Sequence, residues 1–244
     1  MNVVDVLVKK YLKRADVLLT VCTHRTIDID VMAGCMQLFA NKKHQFTWCP
    51  VRGDALISRA RSRAASMFLL ERQEDCLMFV DDDVQFTEAD AIKLIDGIVA
   101  GYDVVGGMYV QKGTLEKTCC LKDGDTISFG KKAPVQEVLA ASTGFLAIHR
   151  KVFQGIVNKG LVNLCHAGTL NFYPFFKPFE KFIDGDWKYL SEDWGFCDLA
   201  RQAGFKIWID GSILLKHKGE YAYDLADKAR LPKPNLEDIE ITLR

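Results

Sequence analysis

What the sequence lacks narrows its function first. No stretch stays apolar for long enough to span a bilayer: the best candidate, Val135 to Ile148, is short and interrupted by Ser142, Thr143 and Gly144. Met1 to Lys13 is punctuated by Asp5, Lys9 and Lys10 and does not read as the apolar core of a signal peptide. A cytoplasmic address is the default expectation. Neither sign of charge is in excess, since 32 Lys and Arg balance 32 Asp and Glu. That balance argues against a non-specific binder of nucleic acid or anionic membrane, while allowing a local basic pocket for a phosphate-bearing small molecule. None of the 8 cysteines belongs to a Cys-x-x-Cys pair, which argues against a structural zinc site. Cys22, Cys76 and Cys197 sit in or beside apolar runs, so buried reduced thiols are expected ahead of disulfides. Internal repeats and low-complexity segments are absent as well.

What remains is the composition of an ordinary globular protein, 49% hydrophobic and 26% charged over 244 residues. That length supports one well-buried domain or at most two small ones. The first half alternates strand-like and helix-like segments. Asp16 to Cys22 is a nearly continuous apolar run, expected for a strand buried on both faces. Asp30 to Asn41 has helical spacing with Asp30 as N-cap, and Gln45 to Val51 reads as a second strand. Asp54 then caps a helix through Leu70, followed by a strand over Cys76 to Val80. Thr87 to Ala100 reads as a helix and Tyr102 to Val110 as a fourth strand. This rhythm predicts a parallel sheet covered by helices on both faces.

The second half changes character. Lys117 to Leu121 and Thr126 to Phe129 flank an Asp123-Gly124 turn, the signature of a hairpin. Gln136 to Ala140 and Phe145 to Ile148 read as strands, and the aromatic, proline-containing stretch Asn171 to Phe182 as an irregular loop. Glu192 to Ala203 returns to a helix closed by Gly204, before strands at Lys206 to Asp210 and Ser212 to Lys216. The expected fold is α/β: one Rossmann-like domain over residues 1–220, with a mostly parallel central sheet flanked by helices. A nucleotide-binding half covers about 16–110 and a smaller, antiparallel second half about 111–220. The polar tail 221–244, holding Pro232 and Pro234, is expected to be an arm or lid.

The most informative stretch is Phe79-Val80-Asp81-Asp82-Asp83-Val84. Three consecutive carboxylates at the end of an apolar strand repel one another and resist desolvation. Open parallel sheets bind ligands at the carboxyl ends of their strands, and a hard divalent cation stabilises clustered carboxylates there. In extended backbone Asp81 and Asp83 share one side and Asp82 takes the other, so that one side can meet a nucleotide and the other a metal. The plain alternative is a solvated acidic turn capping the next helix.

Several stretches together resemble the nucleotide-sugar glycosyltransferases of the GT-A fold, especially the family-2-like group. Besides the Asp-x-Asp strand end, Thr23, His24 and Arg25 close the first strand, where such enzymes receive the nucleoside. Ser58-Arg59-Ala60-Arg61-Ser62 is similar to their Ala-Arg-Asn helix segment, with Ser62 in place of the usual Asn. Ala141-Ser142-Thr143-Gly144-Phe145 resembles the loop lining the sugar and acceptor pocket, and Ser191-Glu192-Asp193-Trp194 the helix start that holds the catalytic base. His217 resembles the late histidine that completes metal coordination in several members.

The resemblance implies a GT-A-like domain moving a sugar from a nucleoside-diphosphate sugar to an acceptor hydroxyl, with inversion and with Mn2+ or Mg2+ as cofactor. The acceptor would be a carbohydrate, a lipid-linked molecule or a protein. It implies Asp193 as general base with Glu192 beside it on a sugar hydroxyl. Thr23, His24, Arg25, Arg61, Asp81 and Asp82 would face the donor; Thr143, Gly144 and Trp194 the sugar and acceptor; Asp83, His217 and Asp81 the metal. The chemistry suits those residue types: charge grows on a departing diphosphate, and the acceptor hydroxyl needs an aligned base. Bland readings stand beside these. Glu192 and Asp193 are also what a helix favours in its first turn, and a lone His217 is often structural. Arg59 and Arg63, four apart, repel unless an anion lies between them. The aromatics from Phe172 to Trp187 are either core or a platform for sugar rings. Rival functions are a sugar nucleotidyltransferase, disfavoured because Cys22 to Thr26 lacks glycine, and a non-catalytic nucleotide-sugar or carbohydrate-binding module.

Overall fold

The first strand explains the rest of the architecture. β1 (Asp16–Thr23) is buried along nearly its whole length and pairs on both sides. The computed structural model describes residues 14–112, 119–120, 126–219, 222–223 and 239–242. After β1 come α1 (Ile29–Phe39), β2 (Gln45–Trp48), β3 (Val51–Arg52), α2 (Ile57–Glu71), β4 (Cys76–Asp81), β5 (Val84–Gln85), α3 (Glu88–Ala100) and β6 (Val104–Met108). The second half holds β7 (Cys119–Cys120), β8 (Thr126–Phe129), β9 (Val135–Val138), β10 (Ala140–Ala141), β11 (Phe145–His149) and α4 (Arg150–Asn158). Then follow β12 (Cys165–Ala167), β13 (Leu170–Phe172), β14 (Phe179–Ile183), β15 (Asp186–Leu190) and α5 (Glu192–Gln202). β16 (Ile207–Leu214), β17 (Lys216–Lys218), β18 (Ala222–Tyr223) and β19 (Ile239–Thr242) complete the chain.

The main sheet runs β2-β1-β4-β11-β6-β16-β9, with β3 pairing the end of β1. β1 is parallel to β2, β3 and β4, and β6 is parallel to β16. β11 opposes both β4 and β6, and β9 opposes β16. The sheet is thus mostly parallel, as expected, with one antiparallel strand at its centre. Alternation along β4 sends Leu77 and Phe79 to one core and Cys76, Met78 and Val80 to the other. A side chain buried this completely contributes about 1.5–3 kcal/mol.

Several local expectations shift. Asp28, not Asp30, caps α1 by accepting the Asp30 N–H. Asp54 accepts the Leu56 N–H at 3.1 Å but lies before the helix, whose cap position is Leu56. Thr87 caps α3 in a reciprocal box with Asp90. Among the described residues, the two strands expected to flank Asp123-Gly124 pair elsewhere: β7 with β10, and β8 with β19. The turn itself lies outside the described residues, as does most of the expected arm. The stretch read as a loop instead contains β14, which pairs with β15 across Asp184-Gly185. Both turn residues have positive φ, 51° and 82°, which suits a tight hairpin turn. Lys206 to Lys216, expected as two strands, is mostly the single strand β16. α4, with His149 as its cap, has no counterpart in the sequence reading.

No described helix is long and apolar enough to cross a membrane. Cys22, Cys35, Cys76 and Cys197 are buried free thiols, and Cys49 and Cys165 are also free.

Candidate functional site

Strand direction gathers the candidate residues at one edge. The carboxyl ends of β1, β4, β6 and β16 point the same way, delivering Thr23, Asp81 to Asp83, Tyr109 to Lys112 and, through β17, His217. Because β11 runs oppositely, its amino end brings Thr143 and Gly144 to that same edge. The Asp81 N–H donates to the Gly144 carbonyl at 2.9 Å, and a Cβ on Gly144 would overlap the Tyr109 hydroxyl and crowd Asp81 Oδ2. Only glycine lets these elements meet.

The three aspartates separate because β4 ends at Asp81, and Asp82 and Asp83 form a turn before β5. Extended alternation stops there, so Asp81 and Asp83 do not act together as expected. Asp81 Oδ1 accepts from Arg61 at 2.5 Å, and Glu192 Oε1 accepts from the other Arg61 amino group at 2.6 Å. Arg61 is only 4% exposed. Burial works against its charge, but Asp81 and Glu192 outweigh that and raise its pKa. Arg61 is therefore an internal brace, and it occupies one oxygen of the partly exposed Glu192. Asp82 is half-buried beside Thr23. Burial raises its pKa, with Asp83 and Asp81 adding to the rise against a hydrogen bond from Thr23.

Asp83 has a different neighbourhood. Lys112 Nζ makes a very short ion pair with Oδ2, and His217 Nε2 lies 3.4 Å from Oδ1. Burial pushes the Asp83 carboxyl up, but hydrogen bonds from His217 and Lys112 prevail and hold it below the usual range. His217 Nδ1 lies 2.9 Å from the Val110 carbonyl, which can only accept, so this nitrogen donates and the ring is oriented with Nε2 toward Asp83. The ring also meets Tyr109 edge-on at 5.1 Å. Burial, then the charge of Asp81, pushes the Tyr109 hydroxyl far above its ordinary pKa, so it remains a neutral phenol.

The turn is stitched in place from outside. The Lys218 N–H donates to the Asp83 carbonyl at 2.8 Å, its ammonium pairs with Asp28 at 2.8 Å, and the Asp28 N–H donates to the Asp82 carbonyl at 2.9 Å. Asp193, at the start of α5, accepts from the Ser191 hydroxyl and, at 2.8 Å, from the Trp194 N–H. Trp194 is half-buried, and the buried Thr143 hydroxyl has no partner among the described residues. His24 and Arg25 stand exposed just past β1.

Sequence reasoning missed Tyr109 and Lys112, whose only signal was their place at and just past the end of the expected fourth strand. It also missed the anion between Arg59 and Arg63. That anion is Asp54, bound by Arg59 through two 2.8 Å bonds and by Arg63 at 3.3 Å, so this basic pair is not free for a phosphate. No group of three or more His, Cys, Asp or Glu poised to hold a metal exists among the described residues. The three-ligand set Asp81, Asp83 and His217 is therefore not assembled. Asp83 and His217 remain as a pair, with oxygen and imidazole donors that suit a divalent cation sharing its other positions with water and phosphate.

No family model matches the chain, and no curated protein matches it. Among solved structures it is similar to A197 from STIV, with a TM-score of 0.53, 19% identity, and coverage of 84% of this chain and 86% of that one. This likeness shows a shared fold. A looser match, TM-score 0.34 and 9% identity, covers 63% of this chain and 80% of 4-diphosphocytidyl-2C-methyl-D-erythritol synthase from Anaerococcus prevotii DSM 20548. So loose a superposition bears on neither function nor site.

Proposed function

We propose that this protein is a metal-dependent glycosyltransferase that moves a sugar, with inversion, from a nucleoside-diphosphate sugar to an acceptor hydroxyl. The observation that carries the reading is the pairing of Asp83 with His217, whose ring is oriented by the Val110 carbonyl, at the carboxyl edge of the sheet. Magnesium and manganese are typically held by one or two carboxylates plus substrate phosphates, which such an open pair allows. Bound there, Mn2+ or Mg2+ would neutralise charge growing on the departing diphosphate.

The chain's own residues supply the rest. Thr23, His24 and Arg25 border the place for the nucleoside, and Asp82 beside Thr23 faces the same edge. Arg61 fixes the start of α5 by gripping Glu192, and so positions Asp193. Asp193 takes the acceptor proton while its Oδ1 is oriented by Ser191 and the Trp194 N–H. Thr143, Gly144 and Trp194 wall the sugar and acceptor side.

The test is Asp193→Asn. Asn keeps the size and the acceptor for both hydrogen bonds, but cannot take a proton. Donor affinity and melting temperature should persist while turnover falls about 10²–10⁴-fold. Near-wild-type turnover would remove Asp193 from the mechanism. Nucleoside diphosphate affinity that is identical in Mn2+ and in chelator would remove the metal.

A further inference from the structure

The hairpin β14–β15 leads directly into Ser191, Glu192 and Asp193, and its two faces differ. One face lies on α5: the Lys181 ammonium binds both oxygens of Asp198, at 2.7 and 2.9 Å, and the Phe179 ring lies 3.1 Å from where a Gly195 Cβ would stand. Pairing of Glu180 with Tyr189 and of Phe182 with Trp187 puts these four side chains together on the other face. Phe182 is 59% exposed, Trp187 64% and Tyr189 72%. Phe182 and Trp187 meet edge-on with centroids 5.5 Å apart, so the rings hold one another in a fixed platform. The other aromatics of the region behave differently: Phe175 and Phe176 are fully buried against Phe153 and Phe196. Packing accounts for that pair but not for the exposed three.

We propose that Phe182, Trp187 and Tyr189 form a carbohydrate-binding platform that holds a neutral glycan, the acceptor of the transfer proposed above, on which this assignment of role rests. Sugar rings present apolar C–H faces that stack on aromatic rings, while carboxylates such as Glu180 accept their hydroxyl protons. Two other occupants fit less well. Three rings about two-thirds exposed offer roughly 400 Å², half of the roughly 800 Å² per partner in a stable protein interface. An anionic membrane surface would meet Glu180 on this face, while Lys181 and Lys188 lie on the other face and are already held in ion pairs. The platform also lies within reach of the chemistry. At about 3.3 Å per strand residue, Trp187 stands roughly 13 Å along the chain from Ser191.

The experiment titrates the intact protein with neutral gluco-, manno- and galacto-oligosaccharides, followed by ligand-observed NMR and calorimetry, with and without Mn2+ and nucleoside diphosphate. At least one series should bind wild type without either addition. Trp187→Ala should weaken it about tenfold and Trp187→Phe much less, with the melting temperature unchanged because the ring is exposed. Nucleotide binding should be the same in all three proteins. No binding by wild type, or equal binding by Trp187→Ala, overturns the platform. So does sedimentation with anionic vesicles, or self-association, that Trp187→Ala abolishes in place of sugar binding. Glycan binding that depends on Trp187 in a protein without metal-dependent nucleotide binding keeps the platform and rejects the transferase reading.

Discussion

Asp81 and Asp83 lie two residues apart, are similarly exposed at 25% and 32%, and differ in what holds them. Asp81 is braced: a buried guanidinium joins it to Glu192, and Gly144 and Tyr109 crowd its other oxygen. Asp83 is about a third exposed, and both its partners, Lys112 and His217, can be exchanged or shared. A buried pair stabilises by leaving no alternative; a half-open one retains ligand-binding capacity because its partners are replaceable. Carboxylates of one motif thus divide into a structural brace and a candidate cation site, according to whether backbone extension continues past them.

Breaking the brace should give the largest effect. Arg61→Met removes the cation and leaves Asp81 and Glu192 facing each other in a largely buried site. Loss of one partner of such a group costs about 3–5 kcal/mol, readable by denaturant unfolding. A cost near that of an exposed ion pair, below about 1 kcal/mol, would show that Asp81 and Glu192 are not held as described.

The open half should respond oppositely. Asp83→Asn should leave unfolding free energy within about 1 kcal/mol of wild type, because its partners are partly exposed. Mn2+ affinity, by calorimetry, should fall by at least the roughly 10–100-fold that changes outside the first shell of ligands already cost. Unchanged Mn2+ affinity would place the metal elsewhere.

How much of this was legible in the sequence follows the range of the forces involved. β1, β4 and α3 were readable because apolar runs and the Thr87 cap act within a few residues. The Asp184-Gly185 hairpin was not, because its flanks, Phe179 to Ile183 and Asp186 to Leu190, mix charge with aromatics and blur the period-two pattern. Nor was the central antiparallel placement of β11, since periodicity identifies a strand but not its neighbours. At the site, the sequence marked Asp83 and His217 by motif. It gave no sign of the bond from Arg61 to Glu192, whose partners lie 131 positions apart.

Asp54, just before the helix that carries Arg61, provides a check of intermediate size. Hydrogen bonds from Arg59 chiefly, opposed by burial and assisted by the Leu56 N–H and Arg63, lower its pKa to about 2 from 3.8. A group depressed on folding contributes stability above its unfolded pKa and loses it as pH falls through the folded one. Between pH 4 and pH 2, wild type should therefore lose about 1–2 kcal/mol that Asp54→Asn does not, after discounting for the partly exposed arginines. Parallel acid-unfolding curves for the two proteins would contradict the clamp.

The smallest effect tests whether Asp83 is truly exchangeable. Lys112 Nζ sits on Asp83 Oδ2, where a tethered monovalent cation competes with any divalent one. Lys112→Met keeps the length of the side chain and removes its charge. The pair is partly exposed and worth about 0.2–1 kcal/mol, so Mn2+ alone should bind about two- to fivefold more tightly to the variant. The gain should shrink as salt rises, because screening weakens the competing ion pair in wild type. Stability should scarcely move, in contrast to Arg61→Met. If Mn2+ bound the variant more weakly, Lys112 would be supporting the metal site instead of competing for it, and the division between a closed and an open aspartate would fail at its open end.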